Sequence, residues 1–129
     1  MRVLVAATHP QLRWALRTVL REEPALIVIG EASTNHNLLT QASALRPDLI
    51  LLDWDLLDHP KAGALAVLRG INAKSGIIVV SEQLGLREAA VAAGADAYLY
   101  KYDPPDQFLA ALRGLLAECQ VCGPTINSV

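Results

Sequence analysis

The sequence is poor in aromatic residues and in unbalanced charge. Aromatic side chains make up 5% of its 129 residues against 53% hydrophobic residues, which predicts one domain with a core of aliphatic and alanine side chains. The formal net charge of -2 gives no basic footprint, so nucleic-acid binding by this chain alone is not expected. No apolar run approaches the roughly 20 residues of a membrane span, and the apolar start is too short for a signal peptide. We therefore predict a cytoplasmic protein without membrane association.

Cysteines are also scarce, and the two present form a single C-x-x-C motif, Cys119 and Cys122. A structural zinc site normally draws on a second pair or on histidines, and a redox pair starts a helix after a strand. This pair instead follows the last predicted helix. We interpret it as two thiols on or beyond a final helical turn, with an intermolecular disulfide or an adventitious metal as alternatives.

Short apolar runs alternate with segments of helical period along the whole chain. The predicted strands are residues 2–7, 25–31, 48–53, 76–81 and 97–101. The predicted helices are residues 10–23, 35–45, 60–71, 84–93 and 104–118, with Gly94 closing the fourth. Strictly alternating strands and helices predict an α/β sandwich with a parallel sheet and right-handed crossovers.

The third predicted strand ends on a carboxylate, Asp53. A continuous apolar strand is typical of a parallel sheet that is covered on both faces. In such sheets, ligands bind in the crevice at the carboxyl ends of the strands. Asp53 is therefore the predicted centre of a functional site.

Several phrases in order resemble one family. They are Val3-Leu4-Val5 followed by His9-Pro10, Leu51-Leu52-Asp53, Ile77-Ile78-Val79-Val80-Ser81, and Ala93-Gly94-Ala95-Asp96-Ala97-Tyr98-Leu99-Tyr100-Lys101. In these phrases the chain resembles the receiver domain of bacterial response regulators, nearest the type that precedes a helix-turn-helix output domain. The resemblance implies a flavodoxin-like (βα)5 three-layer sandwich with a parallel sheet in the order 2-1-3-4-5. It implies a receiver domain over residues 1–120 and a tail over 121–129, with no output domain in this chain.

The family takes a phosphoryl group from a histidine kinase onto one aspartate, in a two-component phosphorelay. The resemblance implies that Asp53 is the acceptor, that Ser81 and Lys101 bind the phosphoryl oxygens, and that Tyr98 is the aromatic switch residue. These roles fit the chemistry, because the transferred group gathers negative charge and needs a cation and a donor aimed at it. An ordinary sheet position for Tyr98 remains an alternative.

The chain departs from the family where the metal should bind. Receivers carry two adjacent acids after the first strand, and the matching positions here are Ala7 and Thr8. Magnesium prefers several carboxylate and water oxygens, so Asp53 with Asp55 would make at most a weak site, and no cofactor is expected. Without those acids, we expect Asp53 and Lys101 to neutralise each other directly.

Two loops near the predicted crevice also depart from the family. Leu57 and Lys61 stand where receivers usually have proline and glycine, which changes the turn chemistry after the acceptor. The segment between Ser81 and Gly94 is two residues shorter than usual, and Glu82 adds a carboxylate beside Ser81. A carboxylate at the pocket rim repels phosphate, and help in binding a cation is the alternative role for Glu82.

Three functions are consistent with these residues. The preferred hypothesis is a degenerate, or pseudo, receiver that acts by phosphorylation-independent protein–protein interaction with a histidine kinase or an output protein. The first alternative is a working phosphoacceptor that receives phosphate on Asp53 from a histidine kinase. The second alternative is a small-ligand-binding flavodoxin-like domain. In all three, the chain is not an enzyme and is a phosphoacceptor at most.

The first predicted helix offers a candidate interface. Leu12, Leu16 and Leu20 lie on one face at helical spacing, so Trp14 should point outward with Arg17 and Arg21. Tryptophan and arginine are enriched at binding hot spots. We therefore predict that this helix contacts a partner protein or a second copy in a homodimer.

Overall fold

The computed structural model describes residues 1–117, without the side chain of Leu84. The strands are β1 (Arg2–Ala6), β2 (Ile27–Ala32), β3 (Leu49–Asp53), β4 (Gly76–Ser81) and β5 (Ala97–Tyr100). The helices are α1 (Pro10–Leu20), α2 (Asn35–Leu45), α3 (Lys61–Ile71), α4 (Arg87–Ala93) and α5 (Pro105–Ala117). Short 3-10 turns cover Trp54–Leu56 and Leu84–Leu86. The predicted C-x-x-C motif lies outside the described residues.

All strand pairs in the sheet are parallel, and their order is β2-β1-β3-β4-β5. This confirms the predicted flavodoxin-like topology. The order reverses between β1 and β3, which is the point where open α/β sheets form a crevice at the carboxyl ends of their strands. Asp53 is the last residue of β3 and therefore lies at that crevice.

The alternation of side chains along the central strands builds two cores. Leu4, Ile50 and Leu52 belong to the cluster under α2, α3 and α4, whereas Val5 and Leu51 belong to the cluster under α1 and α5. Every residue of β3 is buried, as the continuous apolar run predicts. Burying one such aliphatic side chain is worth about 1.5–3 kcal/mol, so β3 anchors both layers.

Several predicted boundaries need correction. Helix α1 ends at Leu20 instead of residue 23, because the chain turns there before Pro24, and β2 begins at Ile27 instead of residue 25. Helix α4 begins at Arg87 instead of residue 84, since a 3-10 turn that contains Gly85 precedes it and glycine disfavours helix. Gly94, at φ 118°, closes α4 in the left-handed conformation as predicted.

None of the helices within residues 1–117 has the length and apolar character needed to cross a membrane.

Candidate functional site

The carboxyl ends of β3, β4 and β5 place three polar side chains along one edge of the sheet. Asp53 pairs in register with Val80, and Ser81 pairs with Tyr100. The Lys101 backbone N–H then donates to the Ser81 carbonyl at 2.8 Å, which fixes Lys101 directly after β5. Parallel pairing thus brings Asp53, Ser81 and Lys101 to the same crevice.

Asp53 is a buried carboxylate with only one of its oxygens hydrogen-bonded. The side chain is 1% exposed, and its Oδ1 accepts a hydrogen bond from the Asp55 backbone N–H at 3.3 Å. Its Oδ2 accepts none from the residues that the structure describes. Burial raises the pKa of the Asp53 carboxyl; the Asp55 N–H and the positive charges of Lys101 and His9 oppose that rise only in part.

The expected direct pair between Asp53 and Lys101 is wrong. The Lys101 ammonium instead lies 3.8 Å from Glu82 Oε2, and no ion pair within residues 1–117 includes Asp53. Glu82 is 44% exposed in its side chain, so pairing there removes less water from the charges than pairing inside the crevice would. Lys101, which we expected to pair with Asp53, therefore pairs with Glu82 at the rim of the crevice.

Ser81 and Tyr98 are both bonded to the loop between β4 and α4. The buried Ser81 Oγ accepts a hydrogen bond from the Gln83 backbone N–H at 3.1 Å. The Tyr98 hydroxyl donates to the Gln83 carbonyl, and its ring packs in the core beneath α3 and α4. Both side chains are thus hydrogen-bonded to the same short loop.

The two residues that follow β1, Ala7 and Thr8, are bound by an arginine. Ala7 is fully buried and has no polar side-chain atom, whereas Thr8 is exposed. Arg13 Nη1 donates to the carbonyl oxygens of Ala7 at 2.8 Å and Thr8 at 3.1 Å. Sequence reasoning missed Arg13, because a side chain that reaches back to backbone carbonyls before its own helix has no sequence pattern of its own. A fixed cation therefore binds the backbone at this end of β1.

A second cation binds the loop that follows Asp53. Lys61 Nζ donates to the carbonyl oxygens of Trp54 and Leu57, each at 3.0 Å, and lies 5.9 Å from the Trp54 ring centroid. The resemblance implies glycine at the position of Lys61 and so predicts altered turn chemistry here, but the hydrogen bonds depend on how α3 docks. Lys61 thereby binds the 3-10 turn and the residue after it with two charge-assisted hydrogen bonds.

The donor set around Asp53 does not fit magnesium. Among the described residues, no group of three or more histidine, cysteine, aspartate or glutamate side chains is arranged to hold a metal ion. Asp55, the other weak candidate, is exposed and contributes its backbone N–H to Asp53. Magnesium needs several oxygen ligands in octahedral geometry, and Ala7 supplies no side-chain oxygen.

The predicted surface on α1 has the expected exposure. Trp14 is 67% exposed, which confirms that it points outward. Arg21 is also exposed, whereas Arg17 Nη1 pairs with Glu31 Oε2 at 2.8 Å. Arg13 Nε lies 3.4 Å from the same carboxylate, so Glu31 on β2 holds both arginines against the sheet. A partner role for Trp14, Arg17 and Arg21 stays a prediction.

A family model described as the response regulator receiver domain matches residues 3–113. This chain belongs to that family. The nitrate/nitrite response regulator NarL of Escherichia coli strain K12 is 35% identical over 98% of this receiver chain and 60% of its own length. NarP of the same organism is 31% identical over 97% of this chain and 59% of its own length. The chain thus spans about three fifths of these relatives.

Solved receivers have the same fold. The signal receiver domain of the response regulator NarL from Mycobacterium tuberculosis superposes with a TM-score of 0.75 at 24% identity, covering 92% of this chain and 94% of that one. The isolated receiver domain of RcsB from Salmonella enterica serovar Typhimurium, with phosphomimetic BeF3-, superposes at 0.80 with 18% identity, covering 91% and 88%. At these identities the likeness establishes the fold alone.

Proposed function

We propose that this receiver domain signals by protein–protein interaction without phosphorylation of Asp53. One observation carries the proposal. Asp53 is a buried carboxylate (1% exposed), and Ala7, where the resemblance implies an acid, is a fully buried hydrocarbon side chain (0% exposed). Its partners would be a histidine kinase or an output protein, met through the surface of the folded domain.

Phosphoryl transfer to a carboxylate needs the charge on the transferred oxygens to be neutralised as it builds up. A receiver supplies that neutralisation with a dication and a lysine. Here the donor set does not fit the dication, and the Lys101 ammonium lies against Glu82 at 3.8 Å. Burial also raises the pKa of the Asp53 carboxyl, which makes the carboxylate form less favourable.

Intact-mass spectrometry after incubation with a small-molecule phosphodonor and magnesium tests the proposal. We expect no stoichiometric mass increase for the parent chain. The variant A7D/T8D, which restores both acids, is the matched gain-of-function control and is expected to be modified. Asp53→Asn in that background identifies the modified residue. Rapid, stoichiometric modification of the parent at Asp53 would refute the proposal.

We further propose that the partner or a second copy binds the α1 surface formed by Trp14, Arg17 and Arg21. Trp14→Glu places a charge at an exposed position, so we expect association to be lost in sedimentation or pull-down while the fold is kept. Val67→Glu, at a 53% exposed position on α3, is the matched control and should leave association intact. Unchanged association of the Trp14 variant would remove this surface from consideration.

A second function, phosphoacceptance from a histidine kinase, is favoured by one observation. The sheet register brings Asp53, Ser81 and Lys101 to the same edge of the sheet, as a phosphoryl clamp requires. The same mass measurement separates the two functions, because only the phosphoacceptor gains the mass of a phosphoryl group on the parent chain.

A further inference from the structure

Glu82 is a charged side chain at the mouth of the crevice with two polar partners. Its Oε2 accepts a hydrogen bond from the Tyr102 hydroxyl at 2.9 Å and lies 3.8 Å from Lys101 Nζ. Both partners come from the segment that directly follows β5, and Glu82 directly follows β4. One carboxylate therefore ties the ends of two neighbouring strands together across the rim.

The neighbours of Glu82 fix the position of this carboxylate. The Tyr98 hydroxyl donates to the Gln83 carbonyl, and the Gln83 N–H donates to Ser81 Oγ at 3.1 Å. The Tyr102 ring packs edge-on against Tyr100, with centroids 5.8 Å apart. The loop is thus held from both sides, so Glu82 does not depend on its exposed ion pair alone for its place.

The carboxylate of Asp53, unlike that of Glu82, has no contact with Lys101 within 4 Å. Asp53 Oδ2 is buried and accepts no hydrogen bond from the described residues, although the positive charge of Lys101 lowers the pKa of this carboxyl. A buried carboxylate oxygen that accepts no hydrogen bond is a favourable partner for a flexible ammonium. Glu82 is the carboxylate in contact with Lys101, at 3.8 Å, and is therefore the candidate competitor for this ammonium.

We propose that Glu82 is a positioning residue that holds the Lys101 ammonium at the rim and keeps it from pairing with Asp53. The inference rests on the proposed function for its biological meaning, since a lysine held at the rim cannot neutralise a phosphoryl group at Asp53. Glu82 would then oppose phosphorylation of Asp53 in a second way, which does not depend on the absence of acidic residues at positions 7 and 8.

A double-mutant cycle tests this role. We would compare the parent with Glu82→Gln, Lys101→Met and the double variant, in buffer without metal or phosphodonor. The readout is the pKa of the Asp53 carboxyl, measured by carbon NMR. Releasing Lys101 toward Asp53 is expected to lower that pKa in E82Q. In the K101M background the same change should produce less than half of that shift, because the cation that moves is absent.

The design separates movement of Lys101 from simple loss of charge. Removing the Glu82 charge alone would lower the Asp53 pKa equally in both backgrounds, and that result would overturn the proposal, as would no shift at all. Asp55 and His9 also act on the pKa of Asp53, and both are the same in all four proteins. Glu88→Gln, at an exposed position on α4, is the control for removing a nearby surface charge.

A second readout follows the other contact of Glu82. Glu82 raises the pKa of the Tyr102 hydroxyl, because the neutral phenol donates to the carboxylate and the negative charge opposes ionisation. NMR of labelled tyrosine should therefore give a lower Tyr102 pKa in E82Q than in the parent and in E88Q. An unchanged value would show that the contact is absent in solution. Lys101→Gln replaces K101M in the cycle should that variant not fold.

Because the cycle contains no metal or phosphodonor, it tests Glu82 separately from the mass experiment on Asp53. Phosphorylation of the parent would refute the proposed function and leave the cycle informative. If the Asp53 pKa shift caused by E82Q were the same with and without Lys101, the role of Glu82 would be refuted. The absence of acidic residues at positions 7 and 8 would then remain as the explanation for an unphosphorylated Asp53.

Discussion

The two sides of the crevice hold their polar groups in different ways. On the β1 side, Ala7 is fully buried without a polar side-chain atom, and Arg13 binds the carbonyl oxygens of Ala7 and Thr8. On the β4 and β5 side, the polar side chains of Ser81 and Lys101 contact Gln83 and Glu82. Polar side chains at the crevice are thus bound to its rim and backbone, and Asp53 Oδ2 accepts no hydrogen bond from the described residues.

The largest effect is expected from adding carboxylates on the β1 side of the crevice. In A7D/T8D without metal, a new carboxylate replaces fully buried Ala7 beside Asp53, and an uncompensated buried charge costs about 3–5 kcal/mol. Magnesium should recover most of that loss. Urea denaturation with and without magnesium measures both effects. Thr8→Asp alone, at an exposed position, should lower the free energy of unfolding only slightly. If the parent and A7D/T8D were equally stable without metal, the difference between the two sides of the crevice would be contradicted.

The next effect comes from the unpaired carboxylate itself. The folded pKa of Asp53 is raised, so the folded state is favoured at acid pH and loses stability as pH rises through that pKa. Asp53→Asn removes this loss and should stabilise the fold by about 1–3 kcal/mol at neutral pH. The gain should disappear at pH values below the ordinary aspartate pKa.

Denaturation of D53N and the parent across pH measures this gain. Asp58→Asn, an exposed position on the following loop, is the control and should change stability by less than about 0.5 kcal/mol. A neutral-pH gain in D53N that persists unchanged in acid would mean that packing, and not charge, is responsible.

The fold could be predicted from the sequence because its signals are local. The apolar run of β3 and the helical period of α2 each fix an element, and the order of elements restricts the sheet to few topologies. Helix α4 was placed three residues too early, since the apolar spacing of Leu84 and Leu86 continues into the 3-10 turn.

The site was predictable only in part. The strand ends that carry Asp53 and Ser81 follow from the topology, and so does the crevice between them. The partners of Arg13, Lys61 and Lys101 do not follow, because a long side chain selects among backbone carbonyls and carboxylates that meet only after folding. Lys101 lies against Glu82 for that reason, although both residues were identified in the sequence.

A smaller effect should come from the cation on the β3 loop. Lys61→Met removes two hydrogen bonds from an ammonium to the carbonyl oxygens of Trp54 and Leu57, and should lower the free energy of unfolding by about 1–2 kcal/mol. Denaturant unfolding with added magnesium should give the same loss. Lys74→Met, at an exposed position, is the control; a loss in K61M that magnesium reverses would argue for a metal on this loop.

The smallest effect is expected on the β4 and β5 side. Tyr98→Phe keeps the buried ring and removes the hydroxyl that donates to Gln83, so we expect a loss of about 0.5–1.5 kcal/mol in unfolding free energy. Tyr102→Phe removes only an exposed contact with Glu82 and should change stability less. If unfolding free energy fell more in Y102F than in Y98F, the loop between β4 and α4 would be held mainly by the Tyr102–Glu82 contact and not by the Tyr98–Gln83 hydrogen bond.

The central claim is that this crevice does not recruit a dication. Trp54, 8% exposed and directly after Asp53, is a natural reporter, and Trp14→Phe removes the only other tryptophan. Magnesium titration of the W14F protein, followed by Trp54 fluorescence, should give no saturable change, whereas the same protein with A7D/T8D should give one. A saturable change in W14F alone at low millimolar magnesium would contradict the claim.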